Sequence, residues 1–166
     1  DTVIRSLSRE EQLKLVFTQD ALDRAIGKEK LCAVLQFSLP GVPSIYYGDE
    51  QGMGGVCDPF NRLPFKEDSQ ELHKYYVNLS KLRNSSDALS TGEAVYMTAS
   101  ADVLLILRYV NQNRDAFGLE AENGAYLIVI NRSGEAVPYE ADCASAGYGI
   151  VRGTAKPGIG EIVRLG

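Results

Sequence analysis

Five polar side chains crowd into one short stretch of this 166-residue chain: Asp49, Glu50, Asp58, Asn61 and Arg62. Carboxylates accept hydrogen bonds, and a guanidinium offers a planar fork of donors. Asp58 and Arg62 stand on either side of a Pro-containing turn, so they face either each other or one shared ligand. Facing a ligand, the pair matches the vicinal hydroxyls of a sugar. Facing each other, it is an ion pair that pins a loop. Residue type and spacing alone do not choose between the two.

Other candidates carry less chemistry. His73 is the only histidine; it falls beside an apolar helical stripe, reads as structural or solvated, and cannot by itself build a metal cluster. No metal or cofactor is expected. No G-x-S-x-G elbow is present, so serine-hydrolase chemistry has no support. The glycines at 147, 149, 153, 158 and 160 lack the strand-then-helix context of a phosphate loop and read as turns. The sequons at Asn78, Asn84 and Asn131 are of a number expected by chance. Nine tyrosines include possible sugar platforms, yet at their spacing they read mainly as core.

The elements that must position the polar stretch follow from periodicity. Ser8 with Glu10 and Glu11 reads as an N-cap and acidic first turn, followed by Leu13, Val16 and Phe17 at helical spacing. A second helix is predicted from about Gly27 to Ser38, ended by Pro40-Gly41. Val42 to Tyr47 is apolar without alternation and closed by Gly48. It reads as a strand of a parallel sheet, covered on both faces, with Pro43 near its start. An irregular loop from Gly52 to Phe65 precedes a third helix, about Ser69 to Asn84, striped by Leu72, Tyr76, Leu79 and Leu82.

From about Ala88 the texture changes. Short runs near 94–99, 103–111, 125–132, 136–141, 148–152 and 161–165 are rich in Val, Ile, Leu and Tyr and parted by turn residues. They predict a small antiparallel β-sandwich or barrel, with a hairpin turn at Asn131–Gly134. The expected organisation is thus an α/β unit over residues 1–87 and an all-β domain over residues 88–166. The first unit is incomplete, because one parallel strand needs neighbours. A buried backbone group left unpaired costs about 1–3 kcal/mol. Its partners are expected upstream of Asp1 in a longer parent.

Composition narrows the function classes. With 45% apolar and 23% charged residues, the chain is globular. No apolar run approaches the roughly 18–20 residues a membrane span needs. The net charge of −5 and the scatter of Lys and Arg argue against nucleic acid as a partner. Cys32, Cys57 and Cys143 lie far apart without metal spacing. They suggest free thiols and a cytoplasmic location; one disulfide plus one free thiol gives the same count and leaves secretion as the alternative. The residues from Asp1 onward contain no charged-then-apolar leader, so no signal peptide is expected among them.

One stretch is more specific than any of this. Pro40-Gly41-Val42-Pro43-Ser44-Ile45-Tyr46-Tyr47-Gly48-Asp49-Glu50, followed by Asp58-Pro59-Phe60-Asn61-Arg62-Leu63-Pro64-Phe65, resembles the segment around the eighth barrel strand of the α-amylase superfamily of glycoside hydrolases. It is most similar to the neopullulanase, cyclomaltodextrinase and maltogenic amylase branch. Val56-Cys57 departs from the Gly or Asn usual before the Asp. The resemblance implies the C-terminal part of a (β/α)8 barrel followed by the β-domain. It also implies a retaining glycosidase acting on α-glucans or maltooligosaccharides. Such enzymes use two carboxyl groups about 5–5.5 Å apart, one nucleophile and one acid.

By the same resemblance, Asp58 and Arg62 would contact glucose units on the non-reducing side of the scissile bond, and Glu50 would support the barrel mouth. Asp1-Thr2-Val3-Ile4-Arg5 is similar to the tail of the family's His-Asp motif. That similarity makes Asp1 the third carboxylate, which stabilises the transition state. The nucleophile and the acid have no match here, so this chain alone is expected to be inactive. Roughly 300 residues of barrel would lie upstream, and without them a homo-oligomer is one way to cover the orphan strand. The alternative reading is a non-catalytic carbohydrate-binding or interaction β-module with a helical leader.

Overall fold

The computed structural model describes residues 4, 6–55, 58, 62–67 and 69–166. Helix α1 (Arg9–Leu13) starts at Ser8 with a reciprocal capping box. The Ser8 hydroxyl accepts from the Glu11 amide, and the Glu11 carboxylate accepts from the Ser8 amide at 2.8 Å. It is shorter than the pattern suggests: Val16 and Phe17 lie beyond it, Val16 90% exposed. A short helix with no surface to pack against gains too little to extend.

Helix α2 (Gln19–Ser38) begins eight residues before the expected start. Thr18 caps it and Gly27 is absorbed into its interior. It buries Ala33, Val34 and Phe37. Helix α3 (Gln70–Asn84), capped by Ser69, buries Leu72, Tyr76, Leu79 and Arg83. The fourth buried place falls to an arginine rather than to Leu82. A single turn, α4 (Asp87–Ser90), had no signal in the sequence and delivers Ala88 and Leu89 to the core.

Six strands follow: β1 (Glu93–Ser100), β2 (Val103–Val110), β3 (Gly124–Asn131), β4 (Val137–Asp142), β5 (Ile150–Ala155) and β6 (Gly160–Leu165). They form a four-stranded sheet in the order β1-β2-β3-β6 and a two-stranded sheet β4-β5, and every strand pairing is antiparallel. Register in the larger sheet places Leu107 opposite Val95 and Leu127, and Ile128 opposite Ile106 and Ile162. Alternation divides the sheet into two apolar faces. Ile106, Val110, Tyr126, Ile128 and Ile130 meet the helices, joining Val34, Phe37, Leu72 and Tyr76 in one core. Val103, Leu105, Leu107, Leu127 and Val129 meet Ala141, Cys143 and Ala155 from the smaller sheet and its flank. The result is three layers, helices over sheet over sheet.

Two expectations are corrected. Asn131–Gly134 does not close a hairpin; it carries the chain from one sheet to the other. The buried Asn131 amide spans that step, donating to the carbonyls of Glu135 (2.7 Å) and Ala155 (3.2 Å) and accepting from the Ser133 amide. The second correction concerns Val42 to Tyr47, which forms no strand and is not sealed. Val42 is 94% exposed and Tyr46 60% exposed. No parallel strand lies beside it among the described residues, so no strand ladder pairs its backbone and its side chains stay largely in water. For the same reason no barrel closes there, and the architecture observed is the antiparallel β-domain with its helices.

Candidate functional site

The polar stretch hangs between α2 and α3, and its supports come from both helices. Leu39 ends α2 in an extended conformation, as a residue before proline must. Gly41 then turns at φ +104°, where a side chain would be strained. Gln36 donates to the Ser44 carbonyl at 2.6 Å, and the Tyr47 hydroxyl donates to the Leu63 carbonyl at 3.0 Å. Gly48, at φ +93°, opens a 3-10 turn, Asp49–Gln51, and the Glu50 carboxylate accepts from the Gly48 amide. Buried Gln51 accepts from the Ser69 amide at 3.1 Å and so joins the turn to the cap of α3. Exposed His73 lies 3.5 Å from the other end of the Gln51 amide.

Asp58 and Arg62 do face each other. Arg62 Nε lies 2.7 Å from Asp58 Oδ1, and both side chains remain largely in water, 71% and 62% exposed. A pair this exposed contributes little to stability. Both side chains are exposed, so the acceptor and the donor fork stand side by side at the surface. Asp1 lies outside the described residues, as do Cys57 and Asn61.

Beside the turn is a carboxylate group that periodicity did not reveal. Half-buried Glu29 on α2 accepts from the Tyr76 hydroxyl at 3.4 Å. Burial first, then the neighbouring Asp49 and Glu50, push its carboxyl up to about 7, against the pull of the Tyr76 hydrogen bond. Asp49 is raised as well, by burial and then Glu50, with a backbone hydrogen bond at Tyr46 opposing. Glu29 therefore exchanges its proton near neutrality. A shallow depression of about 180 Å³, lined by Tyr46, Tyr47, Asp49 and Met53, lies next to this group. Nothing in the sequence pattern around Glu29 marks it, because its shift arises from burial in the tertiary fold and from carboxylates twenty or more positions away. Among the described residues, no three His, Cys, Asp or Glu side chains are placed to hold a metal ion. No helix there is long and apolar enough to cross a membrane.

Comparison with known proteins decides the family. The chain is 36% identical over 117 residues to an amylopullulanase of Thermoanaerobacter thermohydrosulfuricus, a match covering 69% of this chain and 8% of that enzyme. It is 34% identical over 116 residues to a cyclomaltodextrinase of Geobacillus thermopakistaniensis, covering 67% of this chain and 18% of that one.

The chain belongs to the α-amylase family.

A solved debranching enzyme of Nostoc punctiforme superposes with a TM-score of 0.70 at 25% identity, over 84% of this chain and 31% of that one. No family model matches the chain. It thus spans under a fifth of the length of these two α-amylase-family relatives. The fold seen here, a small antiparallel β-domain with helices on one face, is one that α-amylase-family structures contain.

Proposed function

We propose that this chain is the C-terminal portion of a retaining glycoside hydrolase that cleaves α-glucosidic bonds in starch-like glucans or maltooligosaccharides. Residues 1–87 would belong to its catalytic barrel and residues 88–166 form the β-domain packed beside it. The supporting observation is the distribution of exposed apolar side chains. Val42, Ile45, Tyr46, Tyr47, Leu63 and Phe65, all within the segment between α2 and α3, face solvent. Such a concentration marks a surface made to be covered. Neighbouring parallel strands would cover it and would pair the backbone of Val42 to Tyr47.

In that setting Asp58 and Arg62 bind glucose hydroxyls and Asp1 stabilises the transition state, while the nucleophile and acid come from upstream strands. The unpaired thiols of Cys32 and Cys143 support a reducing compartment, the cytoplasm. The decisive measurement is on the full-length enzyme, with maltooligosaccharides as substrate. Losing a hydrogen bond to a charged group costs about 1.5–3 kcal/mol. Asp58→Asn should therefore raise KM roughly tenfold or more, whereas this chain alone should show no hydrolysis. An unchanged KM in the folded variant removes Asp58 from the site.

A further inference from the structure

We infer that Arg83 is a positioning residue for the sugar-binding loop, aiming it from behind. This rests on the reading of Asp58 and Arg62 given above.

Two arginines are buried in the core between helices and sheet, Arg83 on α3 and Arg108 on β2. Neither forms a salt bridge with a carboxylate of the described residues. All their hydrogen bonds go to backbone carbonyls. Arg83 Nη1 donates to Phe37 (2.7 Å) and Leu39 (3.0 Å), and Nη2 donates to Gly41 (2.5 Å) and Ser90 (3.5 Å). Arg108 donates to Ser38 (2.6 Å), Gly92 (3.0 Å) and Glu93 (3.3 Å). The last carbonyls of a helix have no partner within it and carry the negative end of its dipole. Here two cations satisfy them, in place of a glycine cap.

The two differ in what else they hold. Arg108 ties the end of α2 to the start of β1. Arg83 ties the end of α2 to Gly41, the residue whose left-handed turn sends the chain into Val42–Tyr47. Arg83 also sits on α3, the element that receives the chain after Phe65. One guanidinium therefore fixes the entry of the loop to the last turn of α3. A planar fork fixes the directions of several carbonyls at once, which an ammonium at the same place does not. Moving a binding loop by about 1 Å is enough to change catalysis severalfold or more.

The experiment uses the full-length enzyme, well below its unfolding temperature. Arg83→Lys keeps the charge and loses the fork; KM for maltooligosaccharides should rise roughly tenfold with kcat nearly unchanged. Gly41→Ala meets no atom within 4 Å but strains the same turn, and it should raise KM in the same direction. Arg108→Lys should lower Tm and leave KM unchanged. A folded Arg83→Lys enzyme with lower Tm and unchanged KM reduces Arg83 to a structural cap and overturns the inference; should that variant not fold, an unchanged KM in Gly41→Ala overturns it. If Asp58→Asn leaves KM unchanged, the binding reading fails and this inference with it. If Asp58→Asn raises KM while Arg83→Lys and Gly41→Ala do not, only this inference fails.

Discussion

Val103–Val110 and Val42–Tyr47 are both largely apolar runs without alternation, and the structure treats them in opposite ways. The first becomes β2, a central strand with hydrogen-bonded neighbours on both sides and apolar layers on both faces. The second lies open, without a strand partner. Both sequences demand two covers. β2 receives them from helices and strands that follow or precede it by a few dozen residues, whereas the other run has none among the described residues. An apolar run states how much covering it needs, not which part of a protein supplies it.

The contrast is sharpest in core truncations. Leu107→Ala should destabilise the chain by about 2–5 kcal/mol, read as a fall in the urea midpoint, because Leu107 is sealed between the two sheets. A loss under 1 kcal/mol would mean the second layer is not packed as described. A smaller effect is expected at the border between the two regions. The Glu29 carboxyl titrates at about 7 in the fold, above its unfolded value, so the native state binds the extra proton. Its contribution is fully present below the unfolded pKa and is lost as pH rises through about 7. Stability should decline across that window, and Glu29→Gln should flatten the decline; an unchanged profile would place the titration elsewhere. The smallest effect belongs to the open run. Val42→Ser should shift the midpoint of this chain by no more than about 0.5 kcal/mol. The same change in the full-length enzyme should cost several times more, and equal costs in both would refute the claim that neighbouring strands cover this run.

Much of the β-domain is legible from residues alone. All six strand ranges fall within a few residues of their expected places, since alternation and turn residues are local signals. The end of α2 at Pro40-Gly41 and the stripe of α3 are legible for the same reason. The start of α2 is not: Gly27 looks like a boundary, but nineteen other residues and the packing of Val34 and Phe37 carry the helix through it. At the site, the Asp58–Arg62 pair was readable as two alternatives, and the structure shows the two side chains in contact at the surface. Glu29, Gln51 and Arg83 were invisible, because what matters about each is a partner distant in sequence.

Residue order therefore determined many local facts: where the six strands and α3 run, where α2 ends, and which loop holds the polar groups. Tertiary structure alone decided which apolar run would be buried, that Asn131 links two sheets instead of closing a hairpin, and that two cations cap one helix. The physical reason is range. Backbone preference and periodicity act over a few residues, whereas burial and desolvation depend on distant contacts, and the hydrogen bonds of Arg83 and Arg108 to residues 37–41 cross 42 to 70 positions of chain.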